Sequence, residues 1–210
     1  MSSFGAEHAF YRERIPEQFN RTLARQRERA RTDADAARVL EEMEAVRTSI
    51  VVEIDRNGAT DRHVFDIERG VMRHVETPGR PPFLILGHAH EDFENLRREC
   101  GDSLLGFLGS LAGLGEEMRL TSQRVRSLRE LRGSLVFERT GPGGFKLFAS
   151  FGMERPEPEP RATIRLDDMV HARLRSGELD PQDAFMDGLI EIRGDMEMAI
   201  GLALAALSPE

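Results

Sequence analysis

Two histidines in the run His88-Ala89-His90-Glu91 have the spacing of metal ligands. Residues i and i+2 of an extended segment point to the same side, so the two imidazoles could share a zinc or iron ion. His63 and His74 belong to the same predicted sheet and could lie near them. A closed metal site needs three or four ligands, and this pattern secures only two. We therefore predict that the chain holds no metal.

The other reactive residue types have structural explanations. Cys100 is the only cysteine, and no histidine is close in sequence to act as its base, so we expect an inert thiol. The run Gly141-Pro142-Gly143-Gly144 lacks the lysine and serine of a phosphate-binding loop and predicts a hairpin turn. Asp167 and Asp168 precede a helical pattern, where carboxylates cap the helix. Because each of these residues has a structural explanation, we predict no catalytic residue and no cofactor.

Composition narrows the class of protein. The chain has 210 residues, of which 40% are hydrophobic, and a formal net charge of −8. This balance predicts a folded globular protein, and the negative charge argues against a nucleic-acid partner. The longest apolar stretch, Ala199–Leu207, is less than half of the ~20 residues that a membrane span needs. Residues 1–14 contain no apolar secretory region, so we expect a cytoplasmic protein.

The first 48 residues predict two helices. Pro16 suits a first helical turn, and Thr32–Asp35 resembles the start of a second helix. A basic run separates them: Arg21, Arg25, Arg27, Arg29 and Arg31. Such runs usually form a solvated helix face, and we favour that interpretation here. The alternative is weak contact with an anionic membrane surface.

From Ser49 onward, short β-branched and apolar runs alternate with turn signals and helical patterns. The predicted strands are Ser49–Ile54, His63–Ile67, Val71–Val75, Phe83–Leu86, Ser134–Glu138, Phe145–Ser150, Thr163–Leu166 and Leu189–Arg193. The predicted helices are Glu91–Arg98, an apolar piece over Leu104–Leu114, Glu116–Leu131, Asp167–Arg175 and a last helix from Asp195 to about Leu207.

The two halves of this pattern correspond to each other. Ser49-Ile50-Val51 matches Ser134-Leu135-Val136, and Phe83–Leu86 matches Ala162–Leu166. The first half has no counterpart of Asp180–Arg193, so it lacks the final strand. The order of elements therefore predicts one unit used twice, with a degenerate first copy.

The run from Asp180 to Met196, Asp-Pro-Gln-Asp-Ala-Phe-Met-Asp-Gly-Leu-Ile-Glu-Ile-Arg-Gly-Asp-Met, resembles the signature of the sterol carrier protein type-two family. Ala162–Asp168 is similar to the strand-to-helix entry that precedes this signature in the family. The resemblance covers Gly133–Leu207 well and Ser49–Leu114 more faintly. It implies a tandem of two sterol-carrier-like copies.

The fold that this resemblance implies is of the α/β (α+β) class. Each of two similar modules would be a twisted mixed or antiparallel sheet covered by helices, after an N-terminal helical segment. The expected divisions are 1–48 for the helical segment, which packs on the first module, 49–118 for the degenerate module and 119–210 for the complete one.

The function that the resemblance implies is non-catalytic binding and transfer of a lipid-like molecule. The ligand would be a sterol, fatty acid, fatty acyl-CoA or isoprenoid in an apolar tunnel of the C-terminal module. The expected lining residues are Phe185, Met186, Ile190, Ile192, Met196, Ile200, Ala203 and Leu207. The residues support one part of this independently: the last helix is apolar on nearly every side, so something besides the sheet must cover it.

Two alternatives remain open. In the first, the chain is an interaction module without a ligand, whose apolar helices pack against each other or in a homodimer. In the second, the cavity binds a hydrophobic substrate, and His88, His90 or Asp168 performs acid–base chemistry.

Overall fold

The computed structural model describes residues 3–101, 103–106 and 119–207. The helices in these ranges are α1 (Ser3–Ala9), α2 (Ile15–Arg29), α3 (Ala34–Glu44), α4 (Phe93–Cys100), α5 (Ser122–Glu130), α6 (Asp168–Ser176), α7 (Pro181–Met186) and α8 (Met196–Leu207). The strands are β1 (Arg47–Arg56), β2 (Ala59–Glu68), β3 (Val71–Val75), β4 (Pro82–Ala89), β5 (Gly133–Thr140), β6 (Phe145–Phe151), β7 (Ala162–Asp167) and β8 (Glu191–Gly194).

The eight strands form one mixed sheet in the order β3-β2-β1-β4-β6-β5-β7-β8. Strand β1 is parallel to β4, and β5 is parallel to β7, whereas every other neighbouring pair is antiparallel. The expected α+β class with a helical N-terminus is confirmed. The two halves share a single sheet because β4 pairs directly with β6.

Each half of the sheet contains the same three-strand arrangement. A hairpin joins the first two strands, and a later strand then lies parallel to the first: β2-β1-β4 in one half and β6-β5-β7 in the other. The halves differ at the outer edges. Among the strands of the described residues, β3 has no counterpart in the second half, and β8 has none in the first.

Helices pack over one face of the sheet. Ile50 and Val52 of β1 belong to the main hydrophobic core, which also contains residues of α2, α5, α6 and α8. Val51, between them, belongs instead to a small separate cluster with Val64 and Ile85. This alternation is expected because successive residues of a strand face opposite sides.

The N-terminal helices lie against the first half of the sheet. One turn of π-helix, Phe10–Arg14, connects α1 to α2, and Pro16 occupies the first turn of α2 as expected. The side chain of Asn20 fixes α2 to β3, because it both donates to and accepts from the backbone of Met72. Asp33 caps α3 by accepting from two backbone N–H groups.

Two helix boundaries differ from the expected ones. The predicted helix over residues 1–48 ends earlier, since β1 already begins at Arg47. The helix expected from Glu116 starts at Ser122, after Thr121, whose hydroxyl accepts from the N–H of Arg124 and caps it. Most of the apolar piece expected over Leu104–Leu114 lies outside the described residues. Among the helices within the described ranges, none has the length and apolar character of a bilayer span.

Candidate functional site

The segment from α7 to α8 is built by local hydrogen bonds. Asp180 caps α7 by accepting from the N–H groups of Gln182 and Asp183, and Pro181 occupies the first turn. The chain then turns back, with the N–H groups of Leu189 and Ile190 both donating to the carbonyl of Ala184 (2.9 and 3.2 Å). This compact turn delivers the chain to the edge strand β8.

The junction between β8 and α8 depends on two residues. Gly194 has a φ of +83°, and a Cβ atom there would overlap the carbonyl of Arg161. The Asp195 carboxylate accepts from the N–H of Met198 (3.0 Å) and pairs with the Arg161 guanidinium. The backbone N–H and the nearby guanidinium hold the pKa of Asp195 below its usual value. Together they fix the direction in which α8 leaves the sheet.

Helix α8 has one buried and one exposed apolar face. Met198, Ala199, Leu202 and Ala205 are buried in the main core. Met196, Ile200 and Leu204 follow at intervals of four residues on the opposite side and are 40, 48 and 63% exposed. The expectation that the sheet covers only one side of this helix therefore agrees with the structure.

The expected lining residues occupy three kinds of position. Phe185 and Met186, at the end of α7, are exposed, as are Met196, Ile200 and Ala203. Ile190 and Ile192 are partly buried against the main core. The side chain of Leu207 lies outside the described part of the chain. The enclosed tunnel stays a prediction, because the exposed members face solvent here.

The exposed apolar residues concentrate in one part of the chain. Every large hydrophobic side chain that is exposed within the described ranges lies between residues 169 and 204. Sequence reasoning missed three of them, Met169, Leu189 and Leu204; the four-residue interval from Met196 through Ile200 could have pointed to Leu204. We call Phe185, Met186, Leu189, Met196, Ile200 and Leu204 the C-terminal apolar surface.

A second group of notable side chains lies between α1, the π-turn and the first half of the sheet. Five of the six histidines of the chain take part: His8, His63, His74, His88 and His90. The Tyr11 hydroxyl donates to Nε2 of His88 (2.7 Å), and Nδ1 of His88 donates to the carbonyl of Ala89 (2.8 Å). Both ring nitrogens of His88 are thus engaged, and burial lowers its pKa.

The carboxylate of Glu7 is completely buried at the edge of this group. It accepts from Nδ1 of His90 (2.8 Å) and pairs with the Arg56 guanidinium. His88 and His90 therefore have different partners and do not face one ion together. No group of three or more histidine, cysteine or acidic side chains within the described ranges could hold a metal. The sequence gave no indication of these roles of Glu7 and Tyr11, because their partners His90 and His88 are far away in the sequence.

The pKa of His63 is strongly shifted by its surroundings. This residue is buried between Tyr11, whose ring stacks on it, and His74, whose Nε2 lies 3.2 Å from its Nδ1. Burial is the main reason that its pKa is lowered to about 4, and repulsion from His74 and His8 adds to the effect. His63 is therefore neutral at neutral pH.

Two of the remaining sequence predictions for reactive residues agree with the structure. Asp167 accepts from the N–H of Val170 (2.7 Å) and caps α6, as expected. The Gly141–Gly144 run forms the hairpin turn between β5 and β6, also as expected. The side chain of Cys100 lies outside the described part of the chain.

The second half of the chain is similar to a known protein family. Residues 122–205 match the SCP-2 sterol transfer family. This range begins with α5 and contains β5 to β8 and the C-terminal apolar surface. The matched range agrees with the part of the chain that resembles the family most clearly.

Three solved structures of sterol carrier proteins are similar to part of the chain. Sterol carrier protein 2 from Yarrowia lipolytica, in its apo form, is 18% identical, with 49% of this chain and 91% of that chain covered and a TM-score of 0.33. The sterol carrier protein domain 2 of Helicoverpa armigera is 25% identical over 40% and 76% of the two chains, with a TM-score of 0.28.

The third, sterol carrier protein 2 like 2 from Aedes aegypti, is 20% identical over 35% of this chain and 72% of that chain, with a TM-score of 0.29. No curated protein matches the chain.

Proposed function

We propose that the chain binds and carries a lipid-like molecule on its C-terminal apolar surface without performing chemistry on it. The observation that carries this proposal is the concentration of all exposed large hydrophobic side chains of the described chain between residues 169 and 204. This stretch falls within the range that matches the SCP-2 sterol transfer family. A sterol, fatty acid, fatty acyl-CoA or isoprenoid would suit such a surface.

The physical basis is the burial of apolar area. Exposed side chains such as Met186 and Leu204 gain about 25 cal/mol for each Å² that a ligand removes from water. Methionine is suited to ligands of variable shape because its unbranched thioether adapts, and Met186 and Met196 both belong to this surface. Binding would be selective for length and shape rather than for polar groups, since one methylene changes affinity by only ~1–3 kcal/mol.

We further infer that the chain contains two copies of one unit, of which the second binds the ligand. The hydroxyl of Ser49 in β1 bonds to its cross-strand neighbour Asp66 and accepts from the N–H of Arg80, just before β4. In β5, Ser134 bonds to its cross-strand neighbour Ser150 and accepts from the N–H of Glu157, before β7. The same contacts at corresponding positions support a duplicated unit.

Extraction of the purified chain tests the main proposal. Organic solvent followed by mass spectrometry should recover a fatty acid, sterol or isoprenoid in a fixed ratio to protein. A delipidated sample should then bind a fluorescent fatty acid at one site per chain. A clean extract together with no saturable fluorescent binding would contradict the proposal, and turnover of the bound lipid would favour the enzymatic alternative.

A second candidate function is a homodimeric interaction module, and the edge strand β8 favours it. Strand β8 has β7 on one side, and no other described strand pairs with its opposite side. If β8 paired antiparallel with a second copy about Ile192, Glu191 would lie opposite Arg193 of that copy, and the reverse. Opposite charges at such cross-strand positions stabilise pairing.

A further inference from the structure

A cavity of about 310 Å³ lies between α4, the β5–β6 hairpin and α6, outside the C-terminal apolar surface. Its charged lining residues are Arg98, Glu99, Arg139, Asp168 and Arg175, and His171 completes the polar part. The helices α4 and α6 and the strand β5 thus each contribute one arginine to the cavity lining. The cavity lining contains no residue of the C-terminal apolar surface.

The centre of this cluster is the ion pair of Arg139 and Glu99. The Arg139 side chain is only 5% exposed, and its Nη1 lies 2.6 Å from the Glu99 carboxylate. Its Nη2 donates to the carbonyl of Gly143 (2.5 Å), and its Nε–H has no acceptor among the described residues. A buried donor without an acceptor is costly, so the guanidinium is held in place by the rest of the fold.

The carboxylates of the cavity do not balance its guanidinium groups. Glu99 also accepts from Nη1 of Arg175 (3.0 Å), so one carboxylate serves two arginines at close range. The nearest approach of Arg98 to it is longer, at 3.8 Å. Asp168 lies against Gly141, at the other end of the hairpin turn. Positive charge therefore exceeds negative charge locally, in a chain whose net charge is −8.

Gly143 allows two of the arginines to converge. It has a φ of +68°, and a Cβ atom at this position would overlap Nη2 of Arg98 and lie 3.1 Å from Nη2 of Arg139. The missing side chain leaves the space in which both guanidinium groups meet the hairpin. Like charges repel, and the Glu99 carboxylate that lies near both of these groups is shared with Arg175 as well, so a further anion would relieve the repulsion.

We propose that this cavity is a binding site for a phosphate group. Guanidinium groups match phosphate oxygens with paired hydrogen bonds, and a tetrahedral anion can reach several arginines at once. Arg98 and Arg175, which are half-exposed at the rim, would contact the anion directly. Arg139 would supply a fixed positive charge from below. The phosphate group belongs either to a free anion or to a lipid headgroup.

Calorimetric titration of the full chain with pyrophosphate at low ionic strength tests the free-anion form. The wild-type chain should bind at one site, and Arg98→Gln and Arg175→Gln should each weaken binding at least tenfold. Arg173→Gln is the matched control, because Arg173 is exposed on the same helix α6 but does not line the cavity. Ala172→Glu adds a negative charge to the lining while every arginine remains, and it should also weaken binding at least tenfold.

Co-sedimentation with phosphatidylcholine vesicles that contain phosphatidic acid tests the lipid form with the same four variants. Binding in either experiment that the cavity variants lose and Arg173→Gln retains supports the site and identifies its source. If the wild-type chain binds neither probe, or if the control loses as much affinity as the cavity variants, the proposal is wrong. Thermal melts of each variant show that the fold is intact.

Discussion

At the scale of single residues, burial determines the charge of the histidines. His63 is 4% exposed, and His74, His8, Tyr11, Asp61 and Arg12 are the groups that face or influence it. Only the negative charge of Asp61 favours its protonated form, whereas burial and three positive or titratable neighbours oppose it. The N-terminal helical segment therefore packs, through Tyr11, on a neutral His63 imidazole.

Acid should loosen this contact. The pKa of His63 is about 4 in the folded chain against 6.5 for the free side chain, so the unfolded chain binds more protons between these values. The contribution of His63 to the free energy of unfolding is fully present above pH 6.5. It is lost as the pH falls to 4, which lowers the stability by roughly 3 kcal/mol. Denaturant unfolding at several pH values should show the decrease.

Replacement of His63 by glutamine, which does not titrate, should flatten the pH dependence over this range even if it lowers stability at pH 7. The same slope in wild type and His63→Gln would show that other groups are responsible.

At the scale of elements, the two faces of α8 separate stability from binding. Leu202 is buried in the main core, whereas Ile200 is about half exposed on the C-terminal apolar surface. The helix is held by its buried face and by Asp195 at its start. Changes on the exposed face should therefore affect a bound ligand more than the fold.

Ile200→Glu should weaken binding of a fluorescent fatty acid at least tenfold, because a carboxylate would have to lose its water to contact the alkyl chain. Its melting temperature should stay close to that of wild type, since substitutions at exposed positions usually change stability by no more than about 0.5 kcal/mol. Gln182→Glu, which adds the same charge at an exposed position of α7, should bind as wild type. Unchanged binding by Ile200→Glu would place the ligand elsewhere.

At the scale of the whole molecule, the charged surfaces differ in how well their charges are paired. In the basic run Arg21–Arg31, which spans the end of α2 and the turn after it, Arg21, Arg27 and Arg31 form ion pairs with Glu17, Glu44 and Glu28. This pairing favours the solvated face, and membrane contact stays a prediction. On the edge strand, Arg193 already pairs with Glu191 of its own chain (2.7 Å). A dimer would exchange this pair for two pairs between copies.

Reversal of one charge tests the dimer. If β8 pairs with a second copy, Glu191→Arg or Arg193→Glu alone should place like charges opposite each other and shift the chain toward monomer. The double variant restores opposite charges and should restore the dimer. Light scattering after size-exclusion chromatography measures the mass directly. A monomeric wild-type chain at tens of micromolar would exclude this candidate and leave the surface free for lipid.

The local features of this protein could be predicted from its sequence. The predicted strands lie where strands occur, and Asp33 and Asp167 cap helices as expected. The segment with the family signature also falls inside the matched range 122–205. These features could be predicted from the sequence because turns, helix caps and the alternation of apolar residues depend on neighbours a few positions apart.

The contacts between residues that are distant in sequence became visible only in the folded chain. The pairing of β4 with β6 merges the two halves into one sheet, and the contacts of Glu7 with His90 and of Glu99 with Arg139 span 83 and 40 positions. The tertiary structure also decided that Ile200 faces solvent while Leu202 is buried. The long-range contacts depend on the order of the strands in the sheet, which neighbouring residues do not specify. The sequence of α8 is apolar on nearly every side, so it does not indicate which side the rest of the protein will cover.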